Sequence, residues 1–305
     1  MNDPVGLAGT GHPEAGPRGT VPAASVPPDL PGLAARYGLA PVGARPPLGA
    51  YLRELWRRRH FATALARSRF VANSTGDRLG MAWNVLRPLT QAAVYGLVFG
   101  ILFGADRPAD WVAFVTCGVF VFGFTSQALT AGARAVTGNG GLVRALRFPR
   151  AVLPVSVALQ ELYAMLPAIG VLAVIVLATG EPVSWTWLLV LPALALQALF
   201  NLGGGLLLAR LTADVSDVTQ LLPFGLRTLF YLSGVFYELD RFPDPYRQIM
   251  ELNPAHAFIA MIRGAFLEGR APGLSPWLVA GAWTAVLLVA GLIVFWRAEE
   301  RYGRD

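Results

Sequence analysis

Six long apolar stretches constrain this chain more than anything else in it: about 81–104, 111–133, 151–179, 185–210, 218–237 and 277–297. Each is close to the roughly 20 residues a helix needs to cross a bilayer core. Backbone N–H and C=O groups find no water in lipid, so runs of this length are predicted to be helical. The fold class this implies is an all-α polytopic membrane protein with six transmembrane helices. A mean hydropathy of +0.50, with 54% hydrophobic and only 14% charged residues, excludes an ordinary soluble domain.

The net charge of +6 would suit nucleic acid, but its distribution follows the spans instead. The chain has no Lys, so all 25 of its Lys-plus-Arg total are Arg. Seven lie between Arg53 and Arg78, four (Arg134, Arg144, Arg147, Arg150) follow the second stretch, and Arg297, Arg301 and Arg304 follow the sixth. The connection at 104–110 has one Arg, and that at 180–184 has none. The positive-inside rule then places both termini in the cytoplasm, and the expected location is the cytoplasmic membrane, multi-pass.

Between the spans, composition changes character. Residues 1–47 are rich in Pro, Gly and Ala and are expected to form a disordered cytoplasmic tail. Residues 48–78 open with Leu48, Tyr51, Leu52, Leu55 and Ala62 at helical spacing, opposed by Arg53, Arg57 and His60, which predicts an amphipathic helix along the membrane interface. The connection 134–150 contains a short basic segment, 139–147, opened by Asn139-Gly140-Gly141 and stopped by Phe148-Pro149. Its form suits docking to a cytoplasmic partner. In the outer connection, Asn253-Pro254 reads as an N-cap with Pro at the first helical position. The helix it opens, Ala255 to about Leu267, covers only about 20 Å. It is therefore expected to be re-entrant, with a second short helix near 246–251 leading into it. Residues 299–305 form the cytoplasmic C-terminus.

Reactive chemistry is scarce. The lone Cys117 offers no disulfide, and His12, His60 and His256 are widely separated, so no metal site is expected. No G-x-S-x-G elbow is present, and the acidic pair Asp214/Asp217 stands in a short loop. A phosphate-binding loop of the Walker A kind needs its Lys, so this chain cannot carry one, and if transport is driven by ATP another polypeptide is expected to hydrolyse it. Two intramembrane charges stand out, Glu161 and Arg227, at similar depth on helices entering from the same side. They either pair or line a path. Arg87, near a span end, can snorkel.

Three strings carry a family resemblance: Leu79-Gly80-x-x-Trp83-x-x-x-x-Pro88, Leu146-Arg147-Phe148-Pro149-Arg150, and Asn253-Pro254 with Arg263 nine residues on. Together they resemble the membrane subunits of ABC-2 type exporters, in particular the branch exporting lipid-linked polysaccharides, O-antigens and teichoic acids. The likeness runs from about residue 49 to the C-terminus. It implies an ABC-2 transmembrane domain over 79–298, working as a homodimer with two separate ATPase subunits. ATP and Mg would be bound there, and no cofactor by this chain. It implies contacts to the ATPase through Arg57, Arg58, Leu142, Arg144, Leu146 and Arg147. Outer helices over 244–268 would form a gate, with Asn253, Pro254 and Arg263. The channel would be lined by aromatics, for which the candidates are Tyr95, Phe99, Phe103, Phe120, Phe124, Phe230, Tyr231 and Tyr237. Trp111, Trp185, Trp187 and Trp277 lie at span ends and suit an interfacial belt. The all-Arg, Ala-rich usage fits an actinobacterial member, where the resemblance implies galactan as the polymer. The competing readings are an ABC-2 exporter of drugs or small lipids and a membrane-embedded polyprenyl-sugar transferase. The absent catalytic constellation weighs against the transferase.

Overall fold

Gly203 of one helix meets the backbone of Leu288 on another so closely that a Cβ on the glycine would lie 2.5 Å from the Leu288 amide. Close backbone approach of this kind holds helices together in lipid, where burial of apolar surface drives little association between them. The computed structural model describes Gly32 and residues 46–75, 80–104, 110–146 and 148–299. The helical bundle belongs to the compact unit that begins at Arg45. The expected tail, Leu79, Arg147 and the last residues of the chain lie outside the described residues.

The helices in chain order are α1 (Leu48–Arg57), α2 (Arg59–Thr75), α3 (Trp83–Phe103), α4 (Trp111–Ala133), α5 (Gly140–Ala145) and α6 (Val152–Ala178). They continue with α7 (Val190–Asp214), α8 (Val218–Leu232), α9 (Asp244–Glu251), α10 (Pro254–Phe266) and α11 (Leu274–Arg297). Among the described residues five segments are long and apolar enough to cross a membrane: α3, α4, α6, α11, and Trp185–Asp214, in which a 3-10 turn leads into α7. The central helix is α4, which packs against α3, α6, α7, α8 and α10 and is buried over most of its length. Gln197 of α7 ties itself to α4 by donating to Val121 O at 2.8 Å and to Thr125 Oγ1 at 2.9 Å. By contrast, α3 buries little of itself, and Leu97, Ile101 and Leu102 are exposed.

Two expectations are corrected. The fifth apolar stretch, 218–237, does not stay helical to its end. Helix α8 stops at Leu232 after 15 residues, about 22 Å, because Ser233 caps it and Gly234 turns the chain at φ +68°, a left-handed conformation natural to glycine. In place of the one amphipathic helix expected within 48–78 there are two, α1 and α2, separated at Arg58. Tyr51 is buried in α1 while Leu52 and Trp56 are exposed, so the apolar stripe read from spacing divides between two surroundings.

Candidate functional site

A helix that ends inside a bundle leaves its last carbonyls without partners. At the end of α8, four successive carbonyls, Leu232 to Val235, are met one after another by side chains from the α10 motif. Asn253 Nδ2 donates to Leu232 O at 3.3 Å and to Ser233 Oγ at 3.0 Å, while Asn253 Oδ1 caps α10 by accepting from Ala255 N at 2.9 Å. His256 Nδ1 stands 3.3 Å from Ser233 O. The Arg263 guanidinium donates to Gly234 O and Val235 O, both at 2.7 Å, and to Phe114 O on α4 at 3.0 Å, with its carbon 3.4 Å from the centre of the Phe114 ring. Arg263 is only 7% exposed, and α10 is apolar and buried around it. Thr186 closes the far end by donating to Ala265 O at 2.7 Å. The Asn-Pro string is thus a cap that doubles as a clamp on its neighbour.

Beside this clamp the unwound chain places Phe236 among aromatics from two helices. Phe236 stacks on Phe99 at 4.2 Å and 12°. It also meets Tyr95 at 5.1 Å, Phe230 at 5.2 Å and Tyr231 at 6.1 Å. Phe103 continues the row to Trp111 at 6.0 Å. Tyr237 donates to Tyr231 O at 2.7 Å. Six of the eight aromatic candidates are therefore linked through this region. Phe120 and Phe124 are buried in α4 and belong to a different site, beside Glu161.

The opposite, Arg-rich end is built around the segment between α4 and α6. Helix α5 covers 140–145, and Leu146 is extended, as the Pro149 stop anticipates. Arg144 and Leu146 are exposed, whereas Leu142 packs inward near Leu153 and Phe148. Arg57 and Arg58 are engaged with Glu54 of their own helix, at 3.9 and 2.9 Å. Arg69 of α2 anchors the start of the segment by donating to Asn139 Oδ1 at 2.6 Å. The other end is fixed by Glu299, just past α11. Its carboxylate accepts from Tyr51 Oη at 2.9 Å and from Arg150 N at 3.0 Å, while Arg150 Nη1 donates to the Glu299 carbonyl at 2.6 Å. Tyr51 Oη in turn accepts from Ala151 N at 3.3 Å, so the amides of Arg150 and Ala151, just ahead of α6, are held by Tyr51 of α1 and by Glu299 past the end of α11. Burial pushes the Glu299 carboxyl above its ordinary value, against the Arg150 amide, the Tyr51 hydroxyl and the Arg150 charge, which all pull it down.

Comparison with known proteins bears on both ends at once. The model of the ABC-2 type transporter family matches residues 62–267, from α2 through the clamp. The chain belongs to the ABC-2 type transporter family. Its relatives include the O-antigen export system permease protein RfbA of Myxococcus xanthus, 26% identical over 256 residues, or 83% of this chain and 98% of the relative. A protein of the same name from Klebsiella pneumoniae is 25% identical over 226 residues, 73% of this chain and 86% of the relative. The polysialic acid transport protein KpsM of Escherichia coli is 25% identical over 230 residues, covering 73% and 87%.

In this ABC-2 membrane domain the two intramembrane charges do not pair. Among the described residues Glu161 accepts one side-chain hydrogen bond, from Gln160 Nε2 at 3.2 Å, and neither Glu161 nor Arg227 has an ion-pair partner. The reason is packing: α6 lies on α2, α3, α4 and α7, whereas α8 lies on α4, α7 and α10. Arg227 faces outward on α8. Asp214 is held by Arg210 at 2.6 Å. Within α9, Arg247 is shared between Asp244 at 3.2 Å and Glu251 at 3.4 Å. Phe236, His256, Arg69 and Glu299 are not legible in the sequence as site residues, because each acts through a contact distant along the chain.

Proposed function

We propose that this chain is the permease subunit of an ATP-driven exporter that carries a lipid-linked cell-envelope polysaccharide across the cytoplasmic membrane. The observation that carries this reading is the near full-length likeness to permeases whose names specify O-antigen or polysialic acid. The aromatic row around Phe236 supports it, because ring faces pack against the C–H surfaces of sugars.

Two copies would enclose the path. The exposed faces of α3 and α8, including Leu97, Ile101, Leu221 and Phe224, support such a partnership. So does outward-facing Arg227, since a guanidinium at membrane depth is costly against lipid and belongs against protein or water. The stretch 233–237, turned at Gly234 and held by the clamp, would complete the crossing begun by α8. Six crossings then leave both termini on the Arg-rich, cytoplasmic side. There the exposed Arg144 and Leu146, with Arg147, would meet the ATPase subunits, which bind ATP and Mg. The α10 clamp, on the outer side, would hold the exit closed until α8 moves.

Depletion of the chain in its native host tests the reading. Lipid-linked polymer should accumulate inside while surface polymer falls, and galactan is the polymer to assay first. Unchanged surface polymer with altered sensitivity to drugs or lipids would favour a small-molecule exporter instead. The purified chain alone should show no ATP turnover, since no Lys is present for a phosphate loop. Turnover in a preparation free of other ATPases would refute that division of labour.

A further inference from the structure

Between α3, α4 and α6 the bundle leaves a small, mostly apolar notch of about 30 Å³, whose polar lining residues are Asn84, Gln127 and Glu161. All three residues belong to helices long and apolar enough to cross a membrane. Glu161 lies nine residues past Val152, about 14 Å along α6 by helical rise. The Gln127 side is open at the subunit surface, and Glu161 is half-buried behind it. A carboxyl at that depth belongs against protein or water rather than acyl chains. Its only hydrogen bond among the described residues comes from Gln160, so a carboxylate with about four acceptor positions retains spare capacity. The walls beside it are the rings of Phe120 and Phe124.

We propose that Asn84, Gln127 and Glu161 form a hydroxyl-sized binding notch on the translocation path, taking one hydroxyl at a time from an uncharged sugar chain as it passes. This rests on the exporter reading and names residues that touch the cargo. The volume admits one or two water-sized groups. A sugar hydroxyl both donates and accepts, and the notch offers both complements: the Glu161 carboxylate accepts, while the two carboxamides donate and accept. A bound metal cation would instead want six or more oxygen ligands for calcium, or near-octahedral oxygens for magnesium. Here three side chains share the notch with apolar neighbours.

The site can be altered in two independent ways. Glu161→Leu removes the acceptor. Gly123→Ala puts a methyl at the notch, where its nearest neighbour would be Gln127 Nε2 at 3.7 Å, ordinary contact distance, so the fold is left intact. In proteoliposomes of the permease with its ATPase, polymer exported per ATP hydrolysed is the readout, with subunit yield as the control. Removing the acceptor, or filling the notch so that a hydroxyl cannot reach it, should cut that ratio roughly three- to tenfold, the worth of one such hydrogen bond, while Glu161→Gln, which keeps an acceptor, stays within about twofold. Wild-type export by Gly123→Ala, or by an assembled Glu161→Leu complex, would overturn the notch and leave the exporter reading standing. A Glu161→Gln loss as deep as that of Leu, with wild-type export that requires sodium or potassium, would also overturn it in favour of a cation site. Absence of polymer export by the wild-type complex would instead remove the exporter reading, and the notch with it.

Discussion

Replacing Arg263 by Met deletes the guanidinium while keeping much of its apolar stem. Three carbonyls, Phe114, Gly234 and Val235, then lose their donor in a place only 7% exposed. A buried polar group left unsatisfied costs about 1–3 kcal/mol, so three give an upper range of about 3–9 kcal/mol before relaxation. Removing one partner from a buried charged network typically costs about 3–5 kcal/mol, and that is the expected loss here. At roughly 2–4 °C per kcal/mol for a domain of this size, the melting temperature in detergent should fall by about 10 °C. Arg263→Lys should recover only part of this, because one ammonium cannot span carbonyls on α4 and on the chain after α8 at once. Gly118→Ala attacks the same contact from the other side, since its methyl would lie 2.7 Å from Arg263 Nη2 and 3.0 Å from Val235 Cγ1. Thermal unfolding of the purified subunit, followed by intrinsic fluorescence, is the assay. An Arg263→Met protein that melts within about 2 °C of wild type, a loss of about 1 kcal/mol or less, would show that the carbonyls after α8 do not depend on this side chain.

Glu299→Ala should destabilise by about 2–3 kcal/mol, because the Tyr51 hydroxyl and the Arg150 amide lose their acceptor. The pH dependence has a definite sign. Burial holds the folded-state carboxyl above its ordinary 4.5, so the folded protein binds this proton more tightly than the unfolded chain. The contribution of Glu299 therefore improves as pH falls from neutral towards 4.5, and the wild-type melting curve minus that of Glu299→Gln should show that slope. A difference that is flat across this range refutes the assignment. Arg144→Glu should weaken co-purification with the ATPase by the equivalent of a few kcal/mol if the contact is desolvated, without lowering the melting temperature. Glu161→Gln and Arg227→Gln should add within about 0.3–0.5 kcal/mol in the double variant, as for separate sites. Recovery of stability in the double variant would instead reveal a pair.

How much of the site was legible depended on the range of the interaction. The Asn253-Pro254 start of α10 was readable, because a cap and a φ-restricted residue act within one turn of their own helix. What Asn253 and Arg263 hold on to was not, because Leu232–Val235 lie some twenty to thirty residues away and are recognised by their carbonyls, which every sequence has. That Glu161 and Arg227 either pair or line a path was read from their equal depth. Depth is one coordinate, and which helices share a face is another that hydropathy does not carry.

Apolar length and the scarcity of charge determined from sequence alone that this is a helical membrane protein, and the absence of Lys leaves this sequence without a phosphate-binding loop of the Lys-containing kind. Those properties depend on the solvent around each segment and on residue chemistry, both of which are local. Tertiary structure decided where α8 ends, that Phe236 gathers the aromatics, and that Glu299 closes the cap on α6. These outcomes depend on which backbone groups remain unpaired once the helices are packed, and lipid offers such groups no water as a substitute.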